Sequence, residues 1–223
     1  MDIYEPSVVS IQDSELPVLY LIHGINGYEG SWQERGHAID TLERLMAEGK
    51  CPPMIVVMPD CNKWPYKPHP GKKNLWRYLM RYNRISHEHD IEQSVCELMD
   101  MIDSTYCVSG CMIAGLSDGA RIAANVANRR PERFTAVGMF SPVVHKAQLP
   151  KESVHYFLSQ RNDFFRIQIY VGKSDFFYPN ADRFRKELEK REYPYQWYVL
   201  KGRHDWPVWS QGLSLFLQGS EQF

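Results

Sequence analysis

The run Gly115-Leu116-Ser117-Asp118-Gly119 directly follows the apolar segment Cys111-Met112-Ile113-Ala114 and directly precedes a helical pattern, Ala120 to Asn128. Five residues of this G-x-S-x-G form arise often by chance, but a strand before and a helix after them give the pattern a mechanism. A strand that turns sharply into a helix holds a serine in a strained conformation with its hydroxyl exposed, and the flanking glycines remove side chains that would clash there. The helix N-terminus also directs N–H groups and a partial positive charge towards any oxyanion that forms. The chemistry implied is attack by Ser117 on an acyl carbon, which needs a base and an acid to orient that base. Both follow in the order Ser, Asp, His: Asp175 in Val171-Gly172-Lys173-Ser174-Asp175, and His204 in Lys201-Gly202-Arg203-His204-Asp205-Trp206, each just past an apolar, strand-like run. Taken singly, Asp175 reads as a turn residue and His204 as a loop histidine. Their joint occurrence at the two required places favours orienting acid and base. His23-Gly24-Ile25-Asn26-Gly27 follows the early apolar run Val18 to Ile22. A turn of that kind sets a main-chain N–H beside the nucleophile, so the N–H groups of Ile25 and Asp118 are the expected oxyanion donors, with His23 structural.

These loops need a frame. Six strands are predicted, at Val18–Ile22, Met54–Met58, Met112–Ala114, Ala136–Phe140, Ile167–Val171 and Gln196–Leu200. Several are continuous apolar runs, as expected of strands covered on both faces. Between them the apolar spacing predicts helices at Trp32–Glu48, Asp90–Ser104, Asp118–Asn128, Asn180–Arg191 and Trp206–Leu217. Alternation of this sort specifies an α/β fold with a mostly parallel sheet, and Asp175 and His204 then sit at strand C-terminal ends, where such sheets gather their sites. No linker, repeat or low-complexity stretch interrupts the pattern, so residues 1–223 are expected to form one domain. The longest irregular stretch, Pro59 to Ser86, contains Trp64, Tyr66, Trp76 and Tyr78, and a loop of that length is expected to be functional.

Composition narrows the partners. Twenty-six Lys and Arg against 27 Asp and Glu leave a formal charge of −1, which provides no field to attract a phosphate backbone, so no nucleic-acid partner is expected. No stretch approaches the roughly 20 apolar residues of a membrane helix, and Met1-Asp2-Ile3-Tyr4-Glu5 lacks the features of a signal peptide; the chain as written is expected to be cytoplasmic. Five cysteines, an odd number without zinc or redox spacing, exclude a complete disulfide framework, and Cys107 and Cys111 read as small residues beside a buried strand. His87-Glu88-His89-Asp90 invites a metal-ligand reading, but His at i and i+2 do not share a helical face, so a solvated helix start is expected and neither metal nor cofactor is assigned. Mixed signs from Arg183 to Arg191 likewise read as a solvated helix face.

With those residues in hand the chain resembles the esterase family that includes feruloyl and acetylxylan esterases, S-formylglutathione hydrolase, enterochelin esterase and the mycolyltransferases. The resemblance rests on Leu19-Tyr20-Leu21-Ile22-His23-Gly24 with Trp32, on Val57-Met58-Pro59-Asp60, on Ala114-Gly115-Leu116-Ser117, on Pro131-Glu132-Arg133-Phe134 leading to Phe140-Ser141-Pro142, and on Gly202-Arg203-His204-Asp205-Trp206 with Trp209. It implies the α/β-hydrolase fold, with about six to seven mostly parallel strands and helices on both faces. It also implies the triad Ser117, Asp175 and His204 and the oxyanion donors Ile25 and Asp118. Two departures stand out. The family usually has Met after the nucleophile where this chain has Asp118, whose carboxylate would oppose an oxyanion if it faced the pocket. Family members also carry two strands before the His-Gly strand, whereas 17 residues precede Val18 here, enough for one short strand near Val8 to Ile11. Either the sheet has reduced N-terminal strands or Met1 is not the native start, in which case a secreted or periplasmic location is open.

Only 26 residues, Ser141 to Arg166, separate two strands where many hydrolases insert a helical cap, so no cap domain and an open site are expected. An open site suits an acyl group on a large alcohol such as a polysaccharide. Trp64, Tyr66, Trp76, Phe176, Phe177, Tyr178, Trp206 and Trp209 fall at the active edge, and two or three of them are expected to touch substrate, with Trp64, Trp76, Phe176 and Trp206 the candidates. The leading expectation is a serine esterase acting on acetyl or hydroxycinnamoyl esters of carbohydrate. An acyltransferase of the same fold and a non-catalytic carbohydrate-binding protein with a relic triad are the alternatives.

Overall fold

The computed structural model describes residues 1–7, 14–61, 88–143 and 166–219. In chain order the elements are β1 (Asp2–Tyr4), β2 (Leu16–Ile22), α1 (Ser31–Gly36), α2 (Ala38–Ala47), β3 (Ile55–Met58), α3 (Glu88–Thr105), β4 (Val108–Leu116), α4 (Asp118–Arg129), β5 (Phe134–Phe140), β6 (Arg166–Gly172), α5 (Tyr178–Lys190), β7 (Tyr195–Leu200) and α6 (Trp206–Gln218). The strands form a seven-stranded sheet in the order β1-β3-β2-β4-β5-β6-β7, in which β1 pairs antiparallel with β3 and every other neighbour is parallel.

Both phases of the strand period are apolar in the central strands because both faces are covered. Val18, Tyr20 and Ile22 of β2 and Ile113 of β4 pack with Met99 of α3, Ile122 of α4 and Leu188 of α5. Leu19 and Leu21 of β2 and Met112 of β4 face the opposite way, onto Trp32 of α1, Leu42 and Leu45 of α2, and Leu213 and Phe216 of α6. The expected α/β-hydrolase architecture, with its mostly parallel sheet between two helical layers, is therefore present.

Strand order also locates the site. From β2 the chain steps out to β3, then returns past β2 to β4, so the direction of winding reverses between β2 and β4. A reversal of this kind opens a crevice at the strand C-termini. Ile22 and Gly115 are paired in register at that end, which brings the two loops that follow, at His23 and at Ser117, side by side.

Three expectations change. The helix predicted over Trp32–Glu48 is two helices, broken where His37 adopts a left-handed conformation with φ 51° and its N–H caps the carbonyls of α1. Gly36 packs against Trp206, and a Cβ there would lie 2.8 Å from Cζ3 of that ring, a tertiary contact that helical periodicity does not encode. A strand precedes β2 at Asp2–Tyr4, where none is expected, and the expected segment near Val8 to Ile11 falls in residues 8–13, outside the described residues. β1 is an edge strand held by backbone pairing to β3 and by the Tyr4 hydroxyl donating to Glu43 at 3.3 Å, so an apolar run was the wrong signal for it. Strand β4 begins four residues before Met112, because Val108 and Gly110 extend the ladder to Leu16 and Pro17 without joining the fully buried run. All five cysteines are free. Residues 144–165, on which the expectation of no cap domain rests, and residues 62–87 lie outside the described residues.

Candidate active site

Ser117 occupies the turn from β4 into α4 with φ 55° and ψ −116°, a conformation that costs a non-glycine residue on the order of 1–3 kcal/mol. Neighbouring backbone holds it there. The Ser117 N–H donates to the Phe140 carbonyl at 2.8 Å, and the Ser117 carbonyl accepts from the Val143 N–H at 3.2 Å. The two glycines of the motif are needed for close approach: a Cβ on Gly115 would overlap the Gly119 carbonyl, and one on Gly119 would overlap the carbonyl oxygens of His23 and Ile22. The first turn of α4 thus presses against the end of β2.

His204, Asp175 and Ser117 converge from three loops. His204 Nε2 lies 3.1 Å from Ser117 Oγ, and Nδ1 lies 2.9 and 3.1 Å from the two Asp175 oxygens. With Asp175 accepting from Nδ1–H, Nε2 is left to take the hydroxyl proton. Aromatic rings enclose the imidazole, with Phe176, Phe177 and Trp209 at centroid distances of 4.8, 5.0 and 5.0 Å.

The Asp175 side chain is wholly buried. Burial pushes its carboxyl up, but hydrogen bonds from His204, from the Ser141 hydroxyl and from the Phe177 N–H at 2.7 Å, together with the charge of the imidazole, outweigh it and hold the carboxyl below the ordinary carboxylate range. Ser141 is fully buried, and its Oγ accepts from Trp209 Nε1–H at 3.0 Å. Its backbone is left-handed, φ 47°, pinned by its N–H donating to the Tyr170 carbonyl at 2.7 Å. A chain Trp209 to Ser141 to Asp175 to His204 therefore stands behind the nucleophile. Sequence reasoning missed the Ser141 and Trp209 members of it; the only signal was their presence in two segments of family resemblance.

On the other side of Ser117, the buried His23 organises the turn at Gly24. Its Nδ1–H donates to the Gly24 carbonyl at 2.7 Å, which the Gly27 N–H also reaches at 3.0 Å, while Nε2 accepts from the Cys61 N–H at 2.9 Å. These bonds assign the Nδ1–H tautomer and fix the plane of the Gly24–Ile25 peptide, and so the direction of the Ile25 N–H. A Cβ on Gly24 would sit 3.3 Å from Ser117 Cβ, so this turn touches the nucleophile. His23 is structural, as expected.

The Asp118 carboxylate is engaged by a neighbour along its own helix. It accepts from Arg121 Nε at 3.0 Å and Nη2 at 3.3 Å, one helical turn along α4. Arg121 is buried and lies 4.0 Å from the buried Glu92 of α3, which Asn125 and Arg129 also engage, at 2.6 and 2.8 Å.

A cavity of about 190 Å³ opens over Ser117 and His204, lined among others by Gly24, Ile25, Asp118, Phe176, Phe177 and Trp206. Both expected oxyanion residues and two of the four expected substrate aromatics, Phe176 and Trp206, thus border the nucleophile. Trp64 and Trp76 lie outside the described residues, as do the side chains of the His87–Asp90 segment. Among the described residues no three His, Cys, Asp or Glu side chains are grouped to hold a metal ion.

Residues 1–217 match the protein family described as "Putative esterase". An endo-1,4-beta-xylanase/feruloyl esterase of Xylanibacter ruminicola is 30% identical over 138 residues, which are 60% of this chain and 18% of that protein, so the likeness spans under a fifth of the relative's length. Among solved structures, a ferulic acid esterase matches with a TM-score of 0.71 at 25% identity, over 95% of this chain and 86% of its own. The ferulic acid esterase of Anaeromyces mucronatus gives 0.75 at 20% identity over 97% and 82%, and S-formylglutathione hydrolase of Staphylococcus aureus gives 0.68 at 21% over 96% and 84%.

Proposed function

The chain belongs to this esterase family, and we propose that it is an ester hydrolase, working as a serine esterase through an acyl-enzyme on Ser117. The observation that carries the reading is one imidazole within 3.1 Å of the Ser117 hydroxyl and 2.9 Å of a buried carboxylate. In the forward step Ser117 Oγ attacks the ester carbonyl as its proton passes to His204 Nε2. The Ile25 and Asp118 N–H groups receive the oxyanion, a contribution typically of about 100- to 1000-fold in rate per donor. His204 then returns the proton to the departing alcohol oxygen, the C–O bond breaks, and the acyl group remains on Ser117. Water, giving its proton to His204, then attacks the acyl carbon; the bond to Ser117 Oγ breaks as His204 returns that proton to Oγ, and the acid is released. Asp175 keeps the Nδ1–H tautomer throughout and stabilises the imidazolium. The relic reading required an Asp118 carboxylate that disables the site; its engagement by Arg121 argues against that.

For the substrate, acetyl or hydroxycinnamoyl esters of carbohydrate fit best. Phe176, 64% exposed beside His204, offers a flat apolar face to a phenolic acyl group or a sugar, and Trp206 lines the same cavity. The likeness to a xylanase/feruloyl esterase and to ferulic acid esterases points the same way. Purified protein is expected to cleave 4-nitrophenyl acetate and a feruloyl sugar ester, and Ser117→Ala to abolish both. Undiminished turnover in Ser117→Ala would refute the mechanism, and turnover of the aryl ester alone would refute the substrate class.

A further inference from the structure

The reaction above leaves one charged residue of the cavity without a role. Arg35, in the last turn of α1, lines the same cavity as Ser117 and His204. Among the described residues the other ionisable groups lining it are His204 and Asp118, and the Asp118 carboxylate is engaged by Arg121. Arg35 forms no ion pair with a described carboxylate; its neighbour Glu34 accepts instead from the Tyr28 hydroxyl. Its guanidinium lies over the Trp206 ring, 5.2 Å from the centroid.

The ring beneath it is well fixed. Trp32 and Trp209 meet Trp206 edge-on at 5.4 and 5.2 Å, and Gly36 removes the Cβ that would collide with it. The break at His37 ends α1 so that Gly36 and Arg35 both meet this ring. A guanidinium attracted to an aromatic ring still has N–H groups to donate, and its planar fork can grip a carboxylate with two parallel hydrogen bonds. One such cation beside apolar walls suits a monoanion; a phosphate dianion would call for more positive charge.

We propose that Arg35, stacked on Trp206 at the catalytic cavity, is a specificity residue that selects esters carrying a carboxylate away from the scissile bond. The inference rests on Ser117 chemistry and adds a substrate class to it: acidic esters, with the carboxylate on either the acyl chain, as in half-esters of dicarboxylic acids, or the alcohol, as in an acylated acidic sugar. Because the group contacted does not react, its binding energy is the same in ground and transition states, and its loss is expected in KM rather than kcat.

Matched pairs test this with wild type, Arg35→Gln and Arg35→Lys. On the acyl side monomethyl glutarate is compared with methyl hexanoate; on the alcohol side 4-acetoxybenzoate is compared with its methyl ester. The readout is the ratio of kcat/KM for the acidic member to that for the neutral member. In at least one pair wild type is expected to favour the acidic ester, and Arg35→Gln to lower the ratio about two- to fivefold through KM, as one exposed charge-assisted contact allows. Arg35→Lys, with the charge but not the fork, is expected to fall between them, and raised salt to diminish the wild-type preference. The pair that responds identifies which side of the ester carries the carboxylate. A ratio that is the same in wild type and Arg35→Gln for both pairs overturns the proposal, as does equal loss of acidic and neutral turnover, which would make Arg35 a packing residue of Trp206. Failure of the underlying reading looks different: hydrolysis of the neutral esters would then persist in Ser117→Ala.

Discussion

Replacing Ser141 with alanine removes one oxygen that does two jobs. Trp209 Nε1–H loses its acceptor at 3.0 Å in a site without solvent, and Asp175 keeps two donors, His204 and the Phe177 N–H, instead of three. Leaving a buried donor unmade costs about 1–3 kcal/mol of stability. For catalysis, the hydroxyl donates to a charged acceptor, a bond worth about 1.5–3 kcal/mol, and it bears on the transition state because the carboxylate it orients must stabilise the imidazolium. At about 1.4 kcal/mol per decade the rate should fall about 10- to 100-fold, against about 10,000-fold for losing the triad acid's function outright. Ser141→Gly separates the two effects. It lacks the hydroxyl as well, but the φ of 47° at this position suits glycine, so about 1 kcal/mol of stability should return with no recovery of activity. Urea unfolding and kcat/KM on 4-nitrophenyl acetate measure both quantities. If either variant keeps kcat/KM within twofold of wild type, the hydroxyl is only a packing group and Asp175 is oriented by His204 and the Phe177 N–H alone.

Further expectations follow from the charges around the nucleophile. Asp118→Asn removes the nearer of the two carboxylates beside the buried Arg121, so thermal unfolding should show a loss of about 1–3 kcal/mol that exceeds any loss in transition-state stabilisation; a more active and equally stable Asp118→Asn would mean that the carboxylate does act on the oxyanion. The carboxyl of Asp175 is held below the ordinary range, so its folded-state pKa lies under its unfolded value of about 3.9. Its ionised form therefore stabilises the fold above about pH 4, and this contribution is lost as pH falls through the depressed folded value. The stability difference between wild type and Asp175→Asn should not shrink between about pH 8 and 5 and should fall only below about pH 4, and any acid limb of kcat/KM above about pH 5 must belong to another group. A difference that shrinks between about pH 7 and 5 would contradict the assignment.

Much of the site could be read without coordinates, and the reason is local. Ser117, Asp175 and His204 each come directly after an apolar run that ends in a turn, so the sheet alone carries them to one edge. Where the deciding contact is tertiary, the reading stopped. Ser141 and Trp209 are 68 residues apart and share no periodicity, so their bond to each other had no local signature. The break between α1 and α2 depends on Trp206 lying against Gly36, far along the chain. Strand β1 pairs through its backbone at a sheet edge, where apolar content is a poor guide, so Asp2–Tyr4 carried no signal of its own. The fate of the Asp118 carboxylate was within reach, since Arg121 stands at i+3 on a helix, a spacing that brings side chains together.

The central claim, that Ser117 is the nucleophile made reactive by His204 and Asp175, is tested most directly by fluorophosphonate labelling read by mass spectrometry of the intact protein and of its peptides. One adduct per chain on the peptide containing Ser117 is expected, absent from Ser117→Ala and strongly slowed in His204→Ala. Wild type that stays unlabelled while hydrolysing ester, or an adduct that persists in Ser117→Ala, would contradict the claim.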